Sequence, residues 1–405
     1  MSTLIPRFAV PYTPGAFAEA CKAALALTPP ATSGLEAVFG QREIVWTGSG
    51  RQALSLILRA LNLGAGAKIA VPLLSSSAVA AAVKAAGCEP VFVDVHPRTL
   101  TMDPNALARL RYKVAAIVPV HLFGNVAHID EIMDAAAGVP VIEDTAQSPL
   151  SFWRNRLTGT FGVGSFYSFA SSKCIPAGGG GLAAINNPAL AVRVRELAAK
   201  LDSRGRMDSF RRAAMQLAKA ALFSRVLYGL IGNRLRAATE ESGYLLASMD
   251  ARAIAASSAA AVKSLAAVLP QRLLRQRQNS LQLLARIGRP DGVILPVEPA
   301  DARYAYTLFP VVLTNESERD AVRQAMLEQG VDTSTIHHNC AEVATVHFYN
   351  GGCLVSENVA RSLLTLPNFA GLKESDLDRV ASVFLTSLKR YRTTVRVRCT
   401  VEVKA

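Results

Sequence analysis

The sequence has no run of about 18 or more uncharged apolar residues, which argues against a polytopic membrane protein. Its opening, Met-Ser-Thr-Leu-Ile-Pro-Arg, lacks the apolar centre of a signal peptide, so a cytoplasmic protein is expected. There is no C-x-x-C pair. Cys21, Cys88, Cys174, Cys340, Cys353 and Cys399 are scattered and read as reduced thiols. His337-His338-Asn339-Cys340 matches no zinc spacing, and no metal is expected. Aromatic residues make up only 6% of the chain, and no zinc finger or aromatic RNA-binding motif stands beside its basic clusters. Nucleic acid is therefore not an expected partner. What the chain does have is apolar mass. Half of its 405 residues are hydrophobic and 19% are charged, which excludes a disordered or fibrous protein. That length suggests two domains.

Lys and Arg outnumber Asp and Glu by 44 to 31, a formal net charge of +13. More than half of the surplus lies in one segment. Between Lys200 and Arg236, nine basic residues face only Asp202 and Asp208. Phe210, Met215, Leu217, Leu222, Phe223, Leu227, Tyr228, Leu230 and Ile231 are interleaved with them. The segment reads as a basic amphipathic helical insertion over about 200–236. Such a helix suits either peripheral contact with an anionic membrane at its inner face, or packing on its own protein or a sister subunit. Lys389, Arg390, Arg392, Arg396 and Arg398 form a second basic cluster.

From Ile44 to about Asn187 apolar strand-like runs alternate with helical stretches. Lys68–Pro72, Pro90–Val95, Val114–Val120, Pro140–Glu143, Gly164–Phe169 and Gly181–Ile185 read as strands. Ala53–Leu63 and Ala78–Ala86 read as helices. This pattern predicts a three-layer α/β fold with a mainly parallel sheet covered on both faces. Ligands of such sheets bind beyond the carboxyl ends of the strands. A large domain over 1–249 and a smaller C-terminal α/β domain over 250–405 are expected. The second begins with a long Ala-rich helical run. It continues with a strand over Tyr304–Thr314 and helices over Glu316–Gln329 and Asp376–Tyr391, and the tail Thr393–Val403 alternates as a strand does.

Five features carry the chemistry. Thr47-Gly48-Ser49-Gly50-Arg51 follows a strand and opens a helix, a place that suits a phosphate or is a plain helix cap. Ile142-Glu143-Asp144-Thr145-Ala146-Gln147 ends a strand in two carboxylates and an amide. Either carboxylate is a site residue, a cap or an ion-pair partner. Lys173 lies in Ser168-Phe169-Ala170-Ser171-Ser172-Lys173. It is a desolvated amine nucleophile or an ordinary surface charge. Gly178–Gly181 permits unusual backbone angles or close approach. His121, in Pro119-Val120-His121-Leu122-Phe123-Gly124, is either a ligand-side or a buried structural histidine.

In order and spacing these elements resemble the DegT/DnrJ/EryC1/StrS sugar aminotransferases of pyridoxal-phosphate fold type I. The resemblance is densest from about Arg42 to Asn187. Weaker echoes follow at Gly243-Tyr244, Gln271–Arg277 and Ser362–Pro367. It implies that Lys173 binds pyridoxal 5'-phosphate covalently and then shuttles protons. Asp144 is implied as the partner of the pyridinium nitrogen, and Gln147 as a contact of the ring's 3-oxygen. Ser168 and the Gly50 and Arg51 amides are implied to hold the phosphate. The implied reaction moves an amino group, expected from glutamate, to a nucleotide-linked keto sugar in polysaccharide or glycoside biosynthesis, in a homodimer. The alternatives are a relative acting on a non-sugar substrate, or a non-catalytic one that binds a membrane or partner. The chain departs from the family's pattern in five places, one of them the greater length and basicity of Lys200–Arg236. Leu73–Ser77 lacks the stacking aromatic, and Arg51 replaces the phosphate-turn Thr. Leu245 stands where the family's cross-subunit Asn is expected, and the glycine run has lost its Glu.

Overall fold

The computed structural model describes residues 4–110, 113–229 and 251–402, with the backbone alone from 396 onward. The strands in chain order are β1 (Glu43–Thr47), β2 (Lys68–Pro72), β3 (Glu89–Val93), β4 (Ala116–Ile117), β5 (Ile142–Asp144), β6 (Phe152–Trp153), β7 (Arg156–Leu157), β8 (Gly164–Ser168), β9 (Gly181–Ile185), β10 (Ala302–Arg303), β11 (Phe309–Val312) and β12 (Leu363–Leu366). Two ladders, β1-β9-β8-β5 and β3-β2-β4, are joined by parallel bridges from Ile117 to Val141 and from Val120 to Asp144. The result is one sheet in the order β1-β9-β8-β5-β4-β2-β3. Only β9 runs against the rest, pairing antiparallel with both β1 and β8. The carboxyl ends of the other strands and the start of β9 therefore share one edge.

Both faces of the sheet are apolar, so alternate residues enter different cores. Val45, Ile69, Val71, Ala116, Ile142, Phe166, Ala183 and Ile185 face one core, with the helices Gly50–Leu61, Ser77–Ala85 and Pro188–Ala199. Tyr167, Leu182 and Ala184 face a second core under the helices Pro14–Ala26 and Ala256–Ile287. Ala70, Ile117 and Val141 face a third, with the helix Ile129–Ala136. This is the three-layer arrangement expected from the alternation of runs.

The remaining layer is built on β11 and β12, paired antiparallel, with the helices Glu316–Glu328 and Glu374–Glu402. Its core takes in Leu283 and Ile287 from the long helix, and Ile5, which bridges to Val331. The expected boundary between 249 and 250 lies outside the described residues. So does the Gly243-Tyr244 echo.

One expectation is corrected. The tail does not form a strand; the helix from Glu374 runs through it to Glu402. A nucleated helix gains one hydrogen bond for each residue added, and it needs no sheet edge to do so. Arg392 anchors the extension by donating to Glu318 Oε1 and to the Asp291 carbonyl, both at 2.7 Å. The alternation of Val and Arg there is outvoted by the helix already in place.

The expected basic insertion is a helix over Arg206–Leu222, with 230–236 outside the described residues. Its own charges pair in part. Asp208 binds both Arg204 and Arg212. The helix packs beside Pro14–Ala26 and Ala256–Ile287, and its exposed side carries Arg206, Met207, Arg211 and Met215. No helix among the described residues is long and apolar enough to cross a membrane.

Candidate active site

At the shared strand edge β1 ends and the helix Gly50–Leu61 begins. Ser49 caps it, accepting from Gln52 N–H at 3.1 Å, and Gln52 in turn accepts from Gly48 N–H. The first amides of this helix are thus aimed at the edge with a favourable dipole for an anion. Ser168, the last residue of β8, lies directly against Gly50. A Cβ on Gly50 would sit 3.0 Å from Ser168 Cβ and 3.2 Å from the Tyr167 carbonyl. Gly50, Arg51 and Ser168 therefore form one cradle that only a glycine at 50 leaves open.

The glycine run has a similar reason. Gly178, Gly179 and Gly180 all take positive φ. A Cβ on Gly181 would come within 2.4 Å of Gly50 N. The run lets the start of β9 press against the Ser49-Gly50 turn, so it is a packing device rather than a loose turn. Arg212 covers it from the helix Arg206–Leu222, donating to the Gly178 carbonyl.

The two adjacent carboxylates part ways. Glu143 is fully buried and accepts four hydrogen bonds. Its Oε2 takes His121 Nε2 and Gly159 N–H, and its Oε1 takes Phe161 N–H and Gly162 N–H. Burial opposes its charge most strongly. The hydrogen bond from His121, with the Gly162 and Gly159 amides, outweighs burial and holds the carboxyl below the usual range. His121 accepts from Ala127 N–H at Nδ1, which fixes the proton on Nε2 for Glu143. Glu143 and His121 are thereby structural: they clamp the 159–162 loop.

Asp144 ends β5 at 6% exposure, and its Oδ1 accepts from Ala146 N–H at 2.9 Å. Burial is the largest influence on it and raises its pKa, while the Lys173 charge, the Ala146 amide and His121 pull the other way. Lys173 keeps some residue surface, yet its ammonium is enclosed. Burial lowers its pKa, against the attraction of Asp144. The two groups feel each other across the site. Gln147 is pinned by Phe123 N–H, which donates to its Oε1 at 2.8 Å and leaves its amide nitrogen as the donor. The chemistry present is a desolvated amine, a buried carboxyl, an oriented amide and an anion cradle. That set fits a phosphorylated pyridine aldehyde.

A sequence profile described as the DegT/DnrJ/EryC1/StrS aminotransferase family matches residues 32–385. The chain belongs to that family. It is similar to a dTDP-4-dehydro-2,3,6-trideoxy-D-glucose 4-aminotransferase of Saccharopolyspora spinosa, 28% identical over 376 residues, covering 89% of this chain and 90% of the relative. It is also similar to the GDP-perosamine synthase of Caulobacter vibrioides, 28% identical over 348 residues and 84% of each chain. Among solved structures, the aminotransferase TlmJ of Streptoalloteichus hindustanus superposes with a TM-score of 0.75 at 22% identity, over 96% of this chain and all of that one. The fold is thus that of the pyridoxal-phosphate-dependent transferases.

Ser75 and Ser76 hydrogen-bond locally, to the Pro72 carbonyl and from Ala78 N–H. With Leu73, Phe92, Cys340 and His347 they line a small hollow. Two residues near Lys173 escape a reading of the sequence for site residues. Arg272, from the long helix, donates to the carbonyl of Cys174, next to Lys173. His337 is brought in from the smaller layer, close enough for the Lys173 charge to act on its ring. The only sequence signal for it was the His337-His338 pair, which pointed weakly to a metal.

Proposed function

We propose that this protein transfers an amino group, from glutamate in the first instance, to a keto sugar carried on a nucleotide. The observation that carries the reading is the Lys173–Asp144 pair, both enclosed at the edge where the phosphate cradle lies. Asp144 would hold a proton on the cofactor's ring nitrogen. Gln147 would donate to the ring's 3-oxygen, and Ser168 with the Gly50 and Arg51 amides would take the phosphate. Bound pyridoxal phosphate supplies a carbonyl carbon for the amine and an electron sink. Burial favours the neutral amine of Lys173, the form that acts as nucleophile. Its Nζ would then carry protons between the substrate carbon and the cofactor, away from the donor in one half-reaction and onto the acceptor in the other.

The nucleotide-sugar assignment draws on the two relatives named above, whose names specify dTDP- and GDP-linked sugars, and the basic surface suits such anions. A homodimer fits the cluster of exposed apolar residues Val346, Phe348 and Leu354, which a second copy would cover. Membrane contact through the helix Arg206–Leu222 is weak in this reading. Arg206 and Arg211 supply about 1 kcal/mol each at an anionic surface, against about 8 kcal/mol for micromolar binding. Such contact is transient and salt-sensitive.

The test is incubation with pyridoxal phosphate, glutamate and a panel of dTDP-, GDP- and UDP-linked keto hexoses, followed by mass spectrometry. A nucleotide amino sugar formed together with 2-oxoglutarate is expected. 2-Oxoglutarate without any amino sugar would point to a non-sugar acceptor. Neither product, from glutamate or any other amino acid, would point to a non-catalytic relative.

A further inference from the structure

We propose that Gln216, on the helix Arg206–Leu222, is a positioning residue that sets the place of the Lys173 amine by holding Ser171. The proposal rests on the reading of Lys173 as the amine that takes the cofactor. Lys173 stands in a loop that leaves β8 and returns as β9. The loop is tied at its neck. Phe169 N–H donates to the Gly180 carbonyl at 3.0 Å, and the Phe169 carbonyl accepts from Ala177 N–H at 3.0 Å and Gly179 N–H at 3.1 Å. Beyond the neck, Lys173 N–H closes a turn on the Ala170 carbonyl at 3.0 Å. The neck bonds fix where the loop begins and ends. They do not fix the turn that carries the amine.

The helix does. Arg212, Gln216 and Lys219 are spaced to share one helix face, and that face lies on the loop. Ser171 Oγ donates to Gln216 Oε1 at 2.7 Å and accepts from Lys219 Nζ at 3.1 Å. On the other shoulder of the loop, a Cβ on Gly178 would sit 3.4 Å from Gln216 Cβ. Gln216 is 1% exposed, whereas Lys219 is exposed, so Gln216 is the firmer of the two partners of Ser171. The platform beneath it is held at both ends. Ser257 Oγ donates to the Ser209 carbonyl near the helix start. Past the helix end, Phe223 stacks on Phe8 at 4.4 Å and Tyr228 OH donates to Asp332. Gln216 Nε2 is buried and makes no hydrogen bond among the described residues. A half-satisfied buried amide is a poor choice for stability, and a leucine would fill the same place without that cost. What the amide supplies is its hold on Ser171, and through it on the turn. Reacting groups displaced by about 1 Å can lose about 10²-fold in rate. Gln216 touches neither donor nor acceptor, so its loss falls on kcat and not on KM.

The experiment compares the parent with Gln216→Leu, Ser171→Ala and the double variant. Glutamate is the donor, and the acceptor is the keto hexose nucleotide that the parent turns over best. Each single variant is expected to lose about tenfold in kcat, with the KM of both substrates unchanged and no loss of thermal stability in Gln216→Leu. Because the two act through one bond, the double variant is expected to lose no more than either single one. An unchanged kcat in Gln216→Leu, a loss that appears in KM, or single losses that multiply in the double variant would overturn the proposal. Amide hydrogen exchange in the cofactor-free protein reads the same bond without turnover. In Gln216→Leu the Lys173 N–H is expected to exchange about tenfold faster, the size of one net hydrogen bond, with Ala177 and Gly179 N–H unchanged. Unchanged exchange at Lys173, or a uniform rise over loop and helix, overturns the proposal too. A parent that shows no Lys173-dependent absorption band with pyridoxal phosphate is a separate result, which removes the functional reading itself.

Discussion

Glu143 and Asp144 are neighbours in the sequence and opposites in role, and exchanging each for its amide tests that division. Each oxygen of Glu143 accepts two donors. Whichever way a glutamine at 143 turns, its NH2 faces two buried donors that need an acceptor. At about 1–3 kcal/mol for each buried donor left unsatisfied, Glu143→Gln is expected to cost about 2–6 kcal/mol of stability. Asp144→Asn is different. The asparagine oxygen still accepts from Ala146 N–H, and a buried group whose charge is disfavoured becomes neutral. Its stability is expected to stay within about 1 kcal/mol of the parent, inside the usual range for a tolerated substitution. Its turnover is expected to fall by about 10²-fold or more, because the cofactor's ring nitrogen loses its charged partner. Urea unfolding and an amino-transfer assay on both variants measure the two effects. Equal stability loss in the two variants, or a Glu143→Gln protein as stable as the parent, would refute the division of roles.

Other expectations follow from single contacts. Gly181→Ala places a methyl within 2.4 Å of Gly50 N. The phosphate turn must shift, and turnover is expected to drop by about 10²-fold, visible as weaker pyridoxal-phosphate binding in a titration. His337 has a folded pKa of about 3 against 6.5 for the free side chain. Between those values the unfolded chain binds the extra proton, so this residue's contribution to stability is present above pH 6.5 and is lost as pH falls toward 3. Acid unfolding of His337→Gln should show that part of the slope removed; an unchanged slope would show that another group causes it. Binding to anionic vesicles, followed by co-sedimentation, should be slight, should vanish at high salt and should weaken further with Arg206→Glu and Arg211→Glu.

Much of the sheet was legible because its strands are buried on both faces and read as plain apolar runs between helical stretches. The chemistry-bearing loops follow from that, since each lies just past a strand. Which of Glu143 and Asp144 turns to the strand edge was legible only through the family resemblance, not from the residues themselves. One step along a strand reverses the side chain, and nothing local says which direction is inward. The choice is made by the 159–162 loop, whose amides close on Glu143. The glycine run was visible but its purpose was not, because the Ser49-Gly50 turn it meets is about 130 residues away in sequence. The tail was misread because Val and Arg alternation is a local signal, whereas the helix comes from residues before it and from Arg392 reaching Glu318. His337 depends on a contact between layers, which no local pattern encodes.

The central claim is that Lys173, beside Asp144, is the amine that would hold pyridoxal phosphate until an amino donor displaces it. The most direct measurement is the visible absorption spectrum of the purified protein with pyridoxal phosphate, before and after glutamate, with Lys173→Ala alongside. The account predicts a band in the parent that glutamate bleaches, and no such band in the variant. A band of equal strength in Lys173→Ala, or none in the parent, would contradict it.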